Sequence, residues 1–151
     1  MKNSDVMDYL LKTPNRTPLT IMSQFTKALE NKYHDFEDVP IMKEKTSRNI
    51  LIYLAYHNGA PQRDLARITQ TKNATITSVL GKLEERGLVV RRNNEFDMRS
   101  IRVFITKKGL EVEGKIEKIL KDMEAKVTKG LSPREIRDLE YMLEVMLNNL
   151  F

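Results

Sequence analysis

The sequence predicts a mainly α fold with a small β-hairpin, and three observations carry that prediction. Apolar residues recur at spacings of three and four through six stretches, the mark of amphipathic helices. One region, from Leu88 to Ile105, changes to two-residue alternation, so strand is confined to a single hairpin. All five prolines (Pro14, Pro18, Pro40, Pro61 and Pro133) stand at borders between these stretches, where they break or open helices.

Residues 1–16 hold a small apolar cluster of Val6, Met7, Leu10 and Leu11. It reads either as a frayed terminus or as an arm that packs on a partner. From Pro18 to about Phe36 the apolar positions Met22, Phe25, Leu29, Tyr33 and Phe36 form one stripe, with Thr17 as N-cap. A second helix runs from about Lys45 to His57. Its Ile50, Leu51, Ile52, Leu54 and Ala55 cover more than one face, so it is expected to be mostly buried. Asn58-Gly59 stops it.

A short helix follows from Pro61 to about Thr69, with Leu65, Ala66 and Ile68 inward and Ala66 small enough for a close helix crossing. Thr71 is then expected to cap a helix reaching Arg86, whose apolar face is Ile76, Val79, Leu80 and Leu83. Gly87 ends it. Leu88-Val89-Val90 starts one strand; Ile101, Val103 and Ile105 alternate with Ser100, Arg102 and Phe104 in a second. The segment Arg91 to Arg99 between them reads as a loop with basic flanks. Thr106 caps a long helix from Lys107 to about Lys129, with Leu110, Val112, Ile116, Ile119, Leu120, Met123 and Val127 as its apolar positions. Gly130 ends it. Ser132 and Glu135 form a capping box for a last helix reaching about Asn149. The wide apolar band of that helix (Ile136, Leu139, Met142, Leu143, Met146, Leu147 and Leu150) needs cover. A symmetric partner is the expected one, and the same subunit is the alternative.

Charge is distributed unevenly. Net charge is +5 over 151 residues, with pI about 9.4. Residues 1–60 carry 8 Lys/Arg and 7 Asp/Glu, residues 61–108 carry 11 and 5, and residues 109–151 carry 7 and 9. The positive excess therefore sits in the central module, as a polyanionic partner requires. On the helix after Thr71, the face away from the core carries Lys72, Asn73, Thr75, Thr77, Ser78 and Lys82, with no carboxylate before Glu84. A merely solvating face usually mixes Glu with Lys. A face that approaches phosphates and base edges lacks acid on its first turns. Helix, turn, helix and hairpin in this order read as a winged helix-turn-helix joined to a helical dimerisation region.

The composition excludes other classes. Cysteine is absent, which rules out disulfides and thiolate chemistry and fits a reducing, cytoplasmic setting. No apolar run is long enough for a membrane helix and no signal peptide is read, so no membrane partner is expected. No Gly-rich phosphate loop, nucleophile with a His partner or metal spacing is found, so no catalytic residue, cofactor or metal is expected.

The chain resembles the multiple antibiotic resistance regulator (MarR) family along nearly its whole length. Leu65-Ala66 lies ten residues before Thr75 and eighteen before Leu83, as the family pattern places them. Gly87-Leu88-Val89-Val90-Arg91 is similar to the family's entry to the wing, Asp97-x-Arg99 to its wing-tip pair, and Thr106-x-x-Gly109 to the start of its long helix. The resemblance implies a single domain over 1–151, with a winged helix-turn-helix lobe at 45–109 and a helical dimerisation lobe from 1–38 and 109–151. It implies a homodimer on double-stranded DNA, with the helix starting near Lys72 in the major groove. Arg91 and Arg92 flank the wing, and Arg99, oriented by Asp97, reaches into the minor groove. It further implies a transcriptional repressor on a pseudo-palindromic operator, with an activator, an anti-repressor or a protein-only binder as alternatives. Relatives bind small aromatic or anionic effectors; Arg48, Tyr53, Tyr56 and His57 are the candidates here, with plain core packing as the other reading. The chain departs from the family pattern at Ser78, where many members carry Arg. It departs again at Gln70, where Gly is usual and a wider turn is expected. The missing cysteines exclude the redox-sensing branch, and His34 and His57 without carboxylates at ligand spacing do not support the zinc-sensing one.

Overall fold

The computed structural model describes residues 16–94 and 97–150, with the side chains of 94 and 97–99 left aside. The expected N-terminal cluster of Val6, Met7, Leu10 and Leu11 and the tip Glu95-Phe96 lie outside the described residues. Helix α1 spans Pro18–Tyr33, opened by a reciprocal capping box of Thr17 and Thr20. A 3-10 turn at Pro40–Lys43 buries Ile41 and Met42 and leads into α2, Lys45–Tyr56. Strand β1 (Ala60–Pro61) and helix α3 (Gln62–Ile68) follow. Helix α4 is Asn73–Glu85, β2 is Val89–Asn94, β3 is Asp97–Ile105, α5 is Lys107–Val127 and α6 is Pro133–Asn148.

The sheet has three strands in the order β1-β3-β2, all antiparallel. Sequence reading misses β1 because two residues cannot show alternation. The hairpin is longer than expected. Arg91 to Asn94 and Asp97 to Arg99 are strand, in register from Val89 opposite Ile105 to Asn93 opposite Ile101, with an irregularity at Asn93/Asn94. The expected loop thus shrinks to its tip. Ile101 is exposed where alternation would place it inward. It lies opposite Asn93, on the part of the ribbon that has left the body.

The core collects the inner faces of α2, α4, the sheet base and α5. Ile50, Leu51, Leu54, Leu65, Ile76, Leu80, Leu83, Val89, Val103 and Ile116 are all fully buried. Against the α2 face, Arg48 is buried too: its guanidinium lies 4.3 Å over the Tyr33 ring and donates to the Met42 carbonyl.

Two turns set the angle of α4. Gly87, with φ +70°, ends it: its N–H donates to the Glu84 carbonyl at 2.8 Å and the Leu88 N–H to the Leu83 carbonyl at 2.9 Å. The same pattern closes α3, where Gln70 donates to Arg67 (3.1 Å) and Thr71 to Ala66 (2.9 Å). Gln70 holds φ +50°, the left-handed conformation glycine would adopt, so the turn is not widened. Thr71 does not cap α4. The turn ties its N–H back to α3, its hydroxyl donates to the Thr69 carbonyl, and Lys72 takes the N-cap position without a side-chain bond.

The turn after α4 is pinned to the start of α5. Thr106 donates its N–H to the Leu88 carbonyl (3.0 Å) and its hydroxyl to the Gly87 carbonyl (2.7 Å), while accepting from the Gly109 N–H. A Cβ on Gly109 would stand 2.2 Å from the Leu88 oxygen and 2.6 Å from Ile105 Cγ1. Gly109→Ala is therefore expected to cost at least about 2 kcal/mol by overpacking, read as a lowered midpoint in urea unfolding.

Glu113, on α5, is a buried carboxyl whose pKa is raised, first by burial and then by Glu117, with Lys121 opposing. The folded chain holds this proton more tightly than the unfolded one, so stability falls as pH rises from the ordinary carboxylate value through the raised one. Glu113→Gln should match the wild type in acid and exceed it at neutral pH, measured by urea unfolding across pH.

Candidate nucleic-acid interface

The outward face of α4 is built as the residue pattern requires. Ile76, Leu80 and Leu83 point into the core, which turns Lys72, Asn73, Thr75, Thr77, Ser78 and Lys82 to the surface, all exposed. The N-terminus of α4 has no side-chain cap and no acid in its first turn. Its free N–H groups and positive dipole end therefore face outward beside Lys72. Among the described residues, the side chains of Asn73, Thr75 and Ser78 hold no hydrogen bond, so their donors and acceptors are available.

The other predicted residues separate into different roles. Arg91 is engaged: its backbone N–H donates to Glu84 Oε1 (2.9 Å) and its Nε and Nη2 to Glu84 Oε2 (2.9 and 2.6 Å). These bonds, the backbone one first, hold the Glu84 carboxyl below the usual carboxylate range. Arg91 thus anchors the first strand of the hairpin to the end of α4 and is not a free cation. Arg92 is exposed, 5.4 Å over the Phe104 ring. Asp97 and Arg99 fall on β3 next to the tip, with side chains outside the described ones.

Three contributions were not legible in the sequence. Arg63 and Arg67 on α3 are strongly exposed, with only long contacts of 3.9 and 4.0 Å to Asp64, and extend the basic surface beside α4. Gln62 reaches from the start of α3 to Thr77 on α4 (3.0 Å). Arg86, paired with Glu44 at 2.9 and 3.1 Å, ties the end of α4 to the start of α2. The charge count of the central module included these arginines but could not say which ones were paired.

The four candidate effector residues do not meet. Tyr53, Tyr56 and His57 line a crevice of about 300 Å3 with Asn49, Ile52 and Ile68, and the Tyr53 and His57 rings stack at 4.4 Å. Arg48 is on another face of α2, engaged with Met42, Tyr33 and, at 3.9 Å, Glu30. At about 100° per residue, Tyr53, Tyr56 and His57 share roughly 100° of arc, whereas Arg48 lies about 80° outside that arc and more than a turn earlier, so one crevice collects the three and not the fourth.

A short first helix, a tight turn, a second helix with an acid-free polar face and an anchored hairpin beside it define a winged helix-turn-helix. Residues 45–101 match the family model described as MarR family. It is 32% identical over 79 residues to an HTH-type transcriptional repressor, IacR, of Pseudomonas putida, covering 52% of this chain and 47% of that one. To an HTH-type transcriptional regulator, BilQ, of Clostridioides difficile it is 27% identical over 96 residues, 64% of this chain and 65% of that one. The chain thus matches about half to two thirds of these relatives' lengths. Among solved structures, a MarR family regulator from Listeria monocytogenes complexed with a 26mer DNA superposes with a TM-score of 0.80 at 21% identity, covering 90% of each chain. That likeness establishes the shared fold: mainly helical, with a small antiparallel sheet.

Removing the hairpin anchor gives a direct check. Glu84→Ala is expected to cost about 1–2 kcal/mol and to speed hydrogen exchange at the Arg91 amide. The wild-type contribution is full above the ordinary carboxylate range and is lost as pH falls through the depressed Glu84 value. The difference between wild type and variant should therefore vanish in acid.

Proposed function

We propose that the chain is a sequence-specific DNA-binding transcriptional regulator, acting as a homodimeric repressor on a pseudo-palindromic operator. The observation that carries this reading is the exposed, acid-free face of α4 (Lys72, Asn73, Thr75, Thr77, Ser78 and Lys82) at an uncapped helix N-terminus. Backbone N–H groups and lysines there suit phosphates, and the short polar side chains suit base edges. Arg92, Arg63 and Arg67 add exposed positive charge around it. Arg99, near the hairpin tip, is the candidate for the adjacent minor groove, with Asp97 orienting it.

The dimer is supported by unpaired apolar surface. No residue of α6 is buried, and Leu139, Met142, Leu143, Val145 and Leu147 are exposed on it. Leu19, Ile21, Met22 and Phe25 are exposed on α1. Apolar area on this scale calls for cover, and a second copy places two α4 helices on half-sites about one helical turn apart. The crevice at Tyr53, Tyr56 and His57 is the candidate place for a small aromatic effector. Filling it would shift the spacing of the two lobes away from the one that fits DNA.

Selection of duplexes from a random library tests the reading: a recurring inverted repeat is expected, and recovery of unrelated sequences only would overturn it. Sedimentation equilibrium should give twice the 17.6 kDa chain mass. Arg99→Ala should lower affinity for the selected duplex by about tenfold or more while leaving the dimer intact, and affinity should fall steeply between roughly 50 and 200 mM salt.

A further inference from the structure

We infer that Gln62 is a positioning residue for base recognition: it grips the Thr77 hydroxyl across the helix-turn-helix and so restricts which base edges Thr77 can meet. This inference rests on the DNA-binding reading above.

Thr77 has one hydroxyl, with one proton to donate and two lone pairs to accept. Its proton is committed to the Asn73 carbonyl one turn back, at 3.0 Å. One lone pair is committed to Gln62 Nε2, also at 3.0 Å. Only one lone pair remains. Held this way, the hydroxyl can accept a bond from an exocyclic amine but cannot donate to a ring nitrogen or a carbonyl oxygen. The major-groove edges of the four base pairs differ in these groups. The neighbours Asn73, Thr75 and Ser78 carry no such restraint among the described residues. Thr77 is thus the restrained polar residue on an otherwise unrestrained face, and its partner comes from a different helix.

A second observation sets Gln62 apart from an ordinary surface residue. Its Oε1 is buried without a hydrogen-bond partner among the described residues. A buried acceptor left unpaired lowers stability. Gln62 opens α3, where no polar side chain is needed to cap it: Pro61 holds the N-cap position without a side-chain bond. An apolar side chain of the same length would fill the space without that penalty. The grip on Thr77 is what the amide contributes there.

Gln62→Met keeps the length of the side chain and removes both the grip and the unpaired oxygen. The test combines thermal melting with base preference, measured by duplex selection and by titration of single-position variants of the selected sequence. Three results are expected. The melting temperature of Gln62→Met holds or rises. Its discrimination falls by about fivefold or more at one base pair of each half-site, the one at which Thr77→Val also changes preference. In a Thr77→Val background, Gln62→Met has no further effect on that preference. An unchanged preference profile in Gln62→Met would overturn the inference, as would an equal loss on selected and random duplexes, which marks a merely structural role. A Gln62→Met effect that persists without the Thr77 hydroxyl would overturn it too. If the wild type selects no sequence at all, the DNA-binding reading fails first; a selected motif with any of these three results removes only the role of Gln62.

Discussion

The contact on which the architecture turns is the one between the α4–β2 corner and the first turn of α5. The Leu88 carbonyl accepts from the Thr106 N–H, and Gly109 brings the helix backbone against it with no room for a side chain. Lys108 Nζ adds a bond to the Arg86 carbonyl. This corner fixes the direction in which the 21-residue α5 leaves the compact module. A helix of that length is about 30 Å long, so a small rotation at its root becomes a large displacement at its far end. The far end of α5 is therefore held at a set distance from α4 by two hydrogen-bonding side chains and one glycine.

The module itself is cross-braced around α4. Glu84 ties the hairpin to its C-terminal end, Arg86 ties that end to the start of α2, and Gln62 ties its second turn to α3. None of these braces uses a side chain from the first turn. The residues with open hydrogen-bonding capacity are thus mounted on a helix that is held elsewhere along its length. This division lets the exposed positions change without loosening the frame, and it explains why a lysine at the wing entry and an arginine there would not be equivalent. Only a guanidinium can donate from both Nε and Nη2 to the same carboxylate.

The order of helices, the capping by Thr17, Thr106 and Ser132, and the inward face of α4 were legible because each is a local signal: a spacing, a cap, a breaker. What escaped was non-local. Strand β1 exists only because Ala60 and Pro61 lie opposite Val103 and Arg102. Arg91 reads as a free cation until Glu84, seven residues earlier, is seen folded back onto it. Thr71 has the composition of a cap, but its hydroxyl turns back to the Thr69 carbonyl and Lys72 holds the N-cap position. Arg48 belongs with the aromatics of α2 by sequence distance and with Tyr33 and Met42 by helix phase. The outward set on α4 was readable because helical periodicity alone divides that helix into two faces. The Gln62 grip, spanning fifteen residues, leaves no local trace.

The nakedness of α6 has a consequence for the life of a single copy. Sixteen residues of helix with no residue buried in its own chain sit near the length at which a helix in water is only marginally formed. An uncovered subunit would fray there first, offering an unwound apolar tail to proteases and holdase chaperones. Under the proposed pairing of two copies, quality control would then remove unmatched copies faster than matched ones, and the turnover rate of the protein would itself depend on how much of it is present.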